Sequence, residues 1–372
     1  MRLLVAAGAS GGGVYPALAV LQELGDEDLD LLWVGGEGGM EEDLVSRAGY
    51  QVRSLPAAGL QWVGLSKLPR NLWLLARGYF AARRLLAEFK PDVLFFTGGF
   101  VAAPVAAAGR HVPTLVFVPD LEPGLALRMI ARFADVIAIV AEEARAYFRQ
   151  PERVQATGYP LRTEITRWTR AAASKHFGLT RELPTLLVFG GSKGARSINQ
   201  AILAALPALL EHMQVIHIAG EGNWEEVNAA ASSLLAQLAN RYHGFPYLHA
   251  DMGAAFAAAD LALCRAGAST LGELPHFNLP AVLVPIPLKG HLQHVNSAYL
   301  QQRGAALILP DEQMQASLAD TLIGLMRNKP RLQQMSTAMA ALARPHASAR
   351  IAELLLGLAA RAGAARQRSD RA

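Results

Sequence analysis

The sequence predicts an α/β protein of two domains, each a parallel sheet with helices on both faces. Three observations predict it. The chain has 372 residues, too many for one ordinary core. Short apolar runs alternate with helical stretches along both halves, as in sheets covered on both faces. A glycine-rich turn also follows the first apolar run of each half. The turns are Gly8-Ala9-Ser10-Gly11-Gly12-Gly13 and Gly190-Gly191-Ser192-Lys193-Gly194-Ala195-Arg196. A strand, a glycine turn and a helix N-terminus together suit an anionic group, because the backbone comes close and its N–H groups point outward. Finding the device twice predicts two Rossmann-like domains facing one deep cleft.

Taken in order, the strand-like runs of the first half are Leu3 to Ala7, Leu31 to Gly35, Val93 to Phe96, Thr114 to Val118 and Val136 to Val140. Helical patterning runs from Tyr15 to Leu24 and from Ser66 to Phe89. The turn Gly158-Tyr159-Pro160-Leu161-Arg162 marks the boundary, giving domains of 1–160 and 161–340. The second half repeats the pattern with Thr185 to Phe189, Gln214 to Ala219, Leu261 to Cys264, Ala281 to Pro285 and Ala306 to Leu309. Its first helix reads from Ile198 to Leu210. A helix near Ala347 to Leu358 could pack back across the junction, and 361–372, rich in Ala and Arg, is expected to be a disordered end.

Composition narrows the class. Hydrophobic residues make up 52%, which excludes a disordered chain. The only cysteine, Cys264, excludes an intramolecular disulfide and any Cys-cluster metal site, and is expected as a small buried apolar residue. The N-terminal apolar run is too short for a secretory signal, and no apolar span reaches about 18 residues, so a cytoplasmic protein is expected. A net charge of +4 suits nucleic acid, anionic lipid or a phosphorylated small molecule. Without a zinc-finger spacing, an RNP-type motif or a basic block inside a domain, no nucleic-acid partner is expected.

Four stretches carry candidate chemistry. The first glycine turn lacks a Walker Lys-Ser/Thr pair, which argues against a P-loop. In the second, the Ser192 hydroxyl with Lys193 and Arg196 suits a diphosphate, where a plain structural turn is the alternative. After the run ending at Cys264, Gly267 permits a tight turn and Ser269 or Thr270 can cap a helix. Glu273 then lies inside that helix, where its carboxylate could accept two hydrogen bonds from a ribose diol or merely decorate the helix. The segment 289–296, with His291, Gln293, His294 and Asn296, suits sugar hydroxyls and is a poor metal site; solvated loop histidines are the alternative. Between Ser66 and Phe89, Lys67, Arg70 and Arg77 interleave with Leu72, Trp73 and Leu75. That stretch reads as a basic amphipathic helix at an anionic membrane or as a half-buried helix with a solvated face.

Taken together these motifs resemble the MurG family of UDP-N-acetylglucosamine transferases, from about residue 1 to 355. Gly11-Gly12 with Tyr15-Pro16-Ala17-Leu18-Ala19, then Lys90-Pro91-Asp92-Val93 and Thr97-Gly98-Gly99-Phe100, follow its first half. Gly190 to Arg196 with Asn199, then Asp251-Met252, Arg265, Gly267-Ala268, Thr270 and Glu273, and finally Gln293 and Asn296, follow its second. The resemblance implies a GT-B fold with the UDP-sugar donor on the C-terminal domain, the first domain being completed by a C-terminal helix at about 341–358. It implies inverting transfer of N-acetylglucosamine from UDP-N-acetylglucosamine to the lipid-linked acceptor lipid I, giving lipid II for peptidoglycan, cell shape and division. No cofactor and no metal are implied. Donor contacts fall to Arg162, Gly191, Ser192, Gly194, Ala268, Thr270, Glu273, Gln293 and Asn296. The acceptor loops are Ser10, Gly11, Gly12, Gly13, Gly98 and Gly99. The anionic membrane surface, on the cytoplasmic face of the plasma membrane, falls to Lys67, Arg70, Leu72, Trp73, Leu75 and Arg77.

The chain also departs from the family pattern. Gly13 stands where the family has a histidine that is a candidate acid/base group. Phe117-Val118-Pro119-Asp120 replaces His-Glu-Gln-Asn, Tyr159 replaces Asn, and Leu292 replaces one glutamine of a pair. The glycine run is expected to leave space at Gly13. The acceptor proton then falls to Asp120 or Glu122, with Asp120 preferred, or Asp120 only caps a turn. Two other functions compete: a related transferase with another lipid or small-molecule acceptor, and a weakly catalytic UDP-sugar-binding protein.

Overall fold

The structure, a computed structural model, describes residues 1–8, 11–25, 29–37, 41–59, 65–232, 236–288 and 290–369. It divides into two compact units, Met1–Arg162 with Pro345–Ala372, and Thr163–Arg344.

Among the described residues the first unit holds a seven-stranded sheet. Its strands are β1 (Arg2–Ala6), β2 (Asp30–Gly36), β3 (Val52–Leu55), β4 (Val93–Phe96), β5 (Thr114–Val118), β6 (Val136–Ile139) and β7 (Val154–Ala156). They lie in the order β3-β2-β1-β4-β5-β6-β7, and every pair is parallel. Leu4 sits opposite Leu32 on one side and Leu94 on the other. Leu3, Leu4, Val5 and Ala6 are fully buried, as a central strand covered on both faces requires. The order reverses between β1 and β4, which makes the ends of those strands the switch point where ligands bind in such sheets.

The helices Leu68–Phe89, Ala102–Ala108 and Leu125–Ile130 pack side by side in one layer. The first has Pro69 in its first turn and ends at Lys90, which takes the left-handed conformation before Pro91. It buries Gly78, Ala82 and Leu86, spaced four apart on one face, and leaves Leu72, Trp73 and Phe80 exposed. The other layer pairs helix Gly11–Leu24 with the helix Ala347–Ser369. That last helix runs through most of the stretch expected to be disordered. Alanine and arginine are strong helix formers, and the buried Ile351, Leu355, Leu358 and Ala362 anchor it at helical spacing.

The second unit holds, among the described residues, a six-stranded parallel sheet. Its strands are β8 (Thr185–Phe189), β9 (Gln214–Ile218), β10 (Tyr242–Phe245), β11 (Leu261–Cys264), β12 (Ala281–Leu283) and β13 (Ala306–Ile308). The order is β10-β9-β8-β11-β12-β13, so its switch point lies between β8 and β11.

Candidate functional site

Each unit brings its glycine turns to its own switch point. In the first, the chain leaves β1 at Gly8 and the helix starts at Gly11, four residues before the expected Tyr15. Gly11, Gly12 and Gly13 therefore form the opening turn of a helix instead of a loop before it. Ser10 lies outside the described residues. The second turn, Thr97-Gly98-Gly99, leaves β4 with both glycines in the left-handed region. A side chain on Gly99 would sit 2.9 Å from the Gly8 nitrogen, so the two turns touch backbone to backbone. Thr97 Oγ1 donates to the Gly13 carbonyl at 2.5 Å.

The expected space at Gly13 is absent. A Cβ there would lie 3.1 Å from the Gly8 carbonyl oxygen and 3.7 Å from that of Thr97. Backbone from both turns fills the position. Two other departures from the family pattern gather beside it. Tyr159 is buried, its hydroxyl donates to the Gly12 carbonyl at 3.3 Å, and its ring meets Phe117 edge-on at 5.8 Å. Phe117 and Tyr159 thus pack against each other beside the Gly12 carbonyl.

The candidate acids differ in their surroundings. Asp120 follows Pro119 at the C-terminal end of β5 and is half-buried. Glu122 pairs with Arg128 at 3.0 Å, turned toward the helix Leu125–Ile130. Sequence reasoning missed a third carboxylate, Glu41. It is 2% exposed, accepts the Gly36 N–H at 2.8 Å and lies against Gly8. An acid at the start of the helix after β2 was the available signal. The Arg162 guanidinium stacks on the Tyr15 ring, 4.1 Å from its centroid. Arg162 is therefore carried on the first unit, beside Gly11.

In the second unit, β8 runs into Gly190–Ala195 and the helix Arg196–Leu210. Gly191 and Ser192 are exposed. Gly194 has φ +72°, and a side chain on it would run into the Ala219 carbonyl, so only glycine fits. Its own N–H closes a turn on the Gly191 carbonyl at 2.9 Å and shapes the loop. The first N–H groups of the helix have no intrahelical partner, which makes its start a site for anions.

The loop after β11 is braced from behind. Arg265 is an internal tie: it meets Asp311 at 2.6 Å, donates to Ser197 Oγ at 2.8 Å and to the carbonyls of Val284 and Pro285. A buried ion pair is favourable only when such extra bonds complete it. Gly267 has no left-handed φ and its open side meets nothing, so it grants access and not a special turn. Neither Ser269 nor Thr270 caps the helix Thr270–His276 by its side chain. Thr270 is buried and donates instead to the Gly267 carbonyl at 2.5 Å.

Asn296 is fully buried and donates to the Ala266 carbonyl at 3.1 Å, so it supports the loop. Gln293 uses its carbonyl oxygen on the Ile286 N–H at 3.1 Å, leaving its amide nitrogen as the group that can face a sugar. Ala268 and Glu273 remain half-exposed on this loop and helix. The Cys264 thiol is pushed up by burial and further by the nearby negative charge of Glu273. Lys289 lies outside the described residues. His294 bonds the Leu288 carbonyl at 3.1 Å, and burial lowers the His291 imidazole below its ordinary value.

Two parallel sheets of this order, each with glycine turns at its switch point, are the two Rossmann-like units of the GT-B fold class. Residues 3–139 match the Glycosyltransferase family 28 N-terminal domain, and 185–351 match the Glycosyltransferase family 28 C-terminal domain. The UDP-N-acetylglucosamine--N-acetylmuramyl-(pentapeptide) pyrophosphoryl-undecaprenol N-acetylglucosamine transferase of Roseiflexus sp. (strain RS-1) is 39% identical, over 95% of this chain and 94% of its own. The transferase of the same name from Desulforudis audaxviator is 37% identical, over 96% and 99%. The crystal structure of Acinetobacter baumannii MurG matches with a TM-score of 0.73 and 25% identity, over 96% and 99% of the two chains. The chain belongs to the MurG family and is a glycosyltransferase.

Proposed function

We propose that the chain transfers N-acetylglucosamine from UDP-N-acetylglucosamine to lipid I, giving lipid II, with inversion at the anomeric carbon. The observation that carries the reading is the Gly190–Arg196 loop at the second switch point, on a chain alike over nearly its whole length to transferases of that name. The loop and the start of its helix take the diphosphate through N–H groups and Ser192, while Glu273 takes the ribose and Gln293 the sugar. Arg162, held on Tyr15, supplies positive charge for phosphate. The acceptor hydroxyl attacks the anomeric carbon, its proton passes to Asp120, and the bond to the diphosphate breaks to release UDP. Turnover of UDP-N-acetylglucosamine with a lipid I analogue tests this. UDP release without a glycosylated lipid product, or no turnover, would sink it.

A related transferase with another acceptor is the second reading. Gly13, Phe117 and Tyr159 favour it, because all three depart from the family pattern in the first unit, to which the resemblance assigns the acceptor. An assay that turns over a different lipid-linked sugar faster than lipid I would select it.

Leaving-group charge met by N–H groups, Ser192 and Arg162 needs no divalent ion. Turnover is expected to persist in excess EDTA. A loss on chelation that magnesium restores would overturn the metal-free part of the reading.

The helix Leu68–Phe89 is assigned to an anionic membrane surface at the cytoplasmic face of the plasma membrane. Among the described residues, no helix is long and apolar enough to cross a membrane. Leu72 and Trp73 are 51% and 57% exposed, Phe80 is 66% exposed, and Arg77 lies over the Trp73 ring at 4.8 Å. Lys67 and Arg70 are exposed nearby, whereas Leu75 is half-buried. Replacing Leu72, Trp73 and Phe80 with serine should lower binding to anionic vesicles about tenfold and spare turnover of a soluble acceptor. Unchanged co-sedimentation with vesicles would remove the helix from the membrane face.

A further inference from the structure

A buried polar chain runs from the edge strand of the second sheet to the floor of its glycine loop. Tyr242 on β10 bonds His217 on β9, OH to Nδ1, at 2.9 Å. His217 Nε2 meets Asn199 Oδ1 at 3.0 Å. Asn199 Nδ2 donates to the Ala219 carbonyl at 2.9 Å. His217 and Asn199 are 0% and 2% exposed. The Ala219 carbonyl is the surface on which the loop rests. Gly194 packs directly onto it, and Asn223 Nδ2 links it to the Lys193 carbonyl at 3.3 Å to each.

The direction of every bond is fixed by its neighbour. Asn199 gives its amide nitrogen to Ala219, so its oxygen faces His217. His217 Nε2 must then carry a proton. Burial holds the imidazole neutral, with its ionisation pushed down to about 4, so Nδ1 carries none and accepts from the Tyr242 hydroxyl. Removing that hydroxyl leaves Nδ1 a buried acceptor without its donor. The other tautomer would leave an Nδ1–H with no acceptor, and it would set two lone pairs against each other at Asn199. Turning the Asn199 amide to relieve this would point its oxygen at the Ala219 carbonyl. Any of these changes disturbs the floor under Gly194.

We infer that Tyr242, His217 and Asn199 are positioning residues that hold the glycine loop at the height needed to receive a diphosphate. They act from behind the loop and touch no ligand. The inference rests on the reading of Gly190–Arg196 as the diphosphate site.

The test is calorimetric titration of the full chain and of Tyr242→Phe with uridine, UMP and UDP. The wild type should bind UDP more tightly than UMP. Tyr242→Phe should lose about 3- to 10-fold in UDP affinity and stay within about twofold for uridine. Preserved uridine binding also reports an intact fold. An unchanged UDP-to-UMP ratio in Tyr242→Phe would overturn the inference and leave the loop reading standing. A wild type that does not distinguish UDP from UMP would overturn the loop reading, and this inference with it. Should Tyr242→Phe not fold, Asn199→Ser carries the same comparison. Nitrogen-15 spectra of labelled histidine give a second readout: the Nε2–H tautomer at His217 is expected, and the Nδ1–H tautomer would refute the chain of donors.

Discussion

Glu273→Ala should weaken UDP binding by about 10- to 150-fold. A charge-assisted hydrogen bond is worth about 1.5–3 kcal/mol, and the ribose diol loses its acceptor outright. The structure supplies the position. Glu273 stands in the first turn of the helix after β11, on the strand that flanks the switch point, and its charge is felt at the end of that strand. Its neighbours on the same segment are already committed. Thr270 serves the Gly267 carbonyl and Asn296 the Ala266 carbonyl, while Glu273 stands half-exposed on the same segment. Calorimetry with UDP and with a 2′,3′-dideoxy analogue separates the contact from general damage. The mutant should bind both weakly and alike, while the wild type should prefer UDP. Near-normal UDP affinity in a folded Glu273→Ala protein would take Glu273 out of the site.

The sheets were legible because their central strands are buried on both faces. The runs at β1, β4, β5, β8 and β11 are four or five consecutive apolar or β-branched residues with no polar alternation. The strands that escaped notice, β3, β7 and β10, are all edge strands. One side of each has no strand partner to demand an apolar run, and Arg53, Gln155 and His243 interrupt them. The helix start at Gly11 escaped because three glycines read as a loop. Contact with the turn after β4 overrides that local preference, and such contact is not written in adjacent residues.

The site was legible at the level of segments and less so at the level of side chains. Glycine spacing located both switch points, since close backbone approach tolerates little else. It could not tell a ligand contact from a brace. Thr270 and Asn296 carry the same chemistry whether they face a sugar or a carbonyl, and in the fold each donates to a loop carbonyl. Glu41 and the Tyr242–His217–Asn199 chain went unseen for a related reason. The Tyr242–His217–Asn199 partners are 25 and 18 residues apart and are brought together by packing, while Glu41 turns back on Gly36 only because the helix after β2 starts there.

Asp120→Asn should lower kcat by at least about 100-fold and leave UDP affinity unchanged, since a placed base typically contributes about 10²–10⁴-fold. The argument begins with what fills the family's histidine position. Gly13 has no side chain, and backbone closes the space around it. Tyr159 cannot substitute, because its hydroxyl is buried and spent on the Gly12 carbonyl. Glu122 is paired with Arg128 at 3.0 Å and turned toward the helix Leu125–Ile130. Glu41 is 2% exposed and bonded to Gly36, which suits a brace for the turn. Asp120 remains. It follows the C-terminal end of β5, the end of the sheet where ligands of such folds bind, and it is half-exposed there. Asparagine keeps the shape and removes the basicity, so a loss confined to kcat reads the proton transfer itself. Glu41→Gln is the control: as a brace it should lower the melting temperature, whereas as the base it would lower kcat with stability intact. Ordinary turnover by Asp120→Asn would refute the assignment. If Glu41→Gln alone abolished turnover in a stable protein, the base would move to the buried carboxylate beside Gly8.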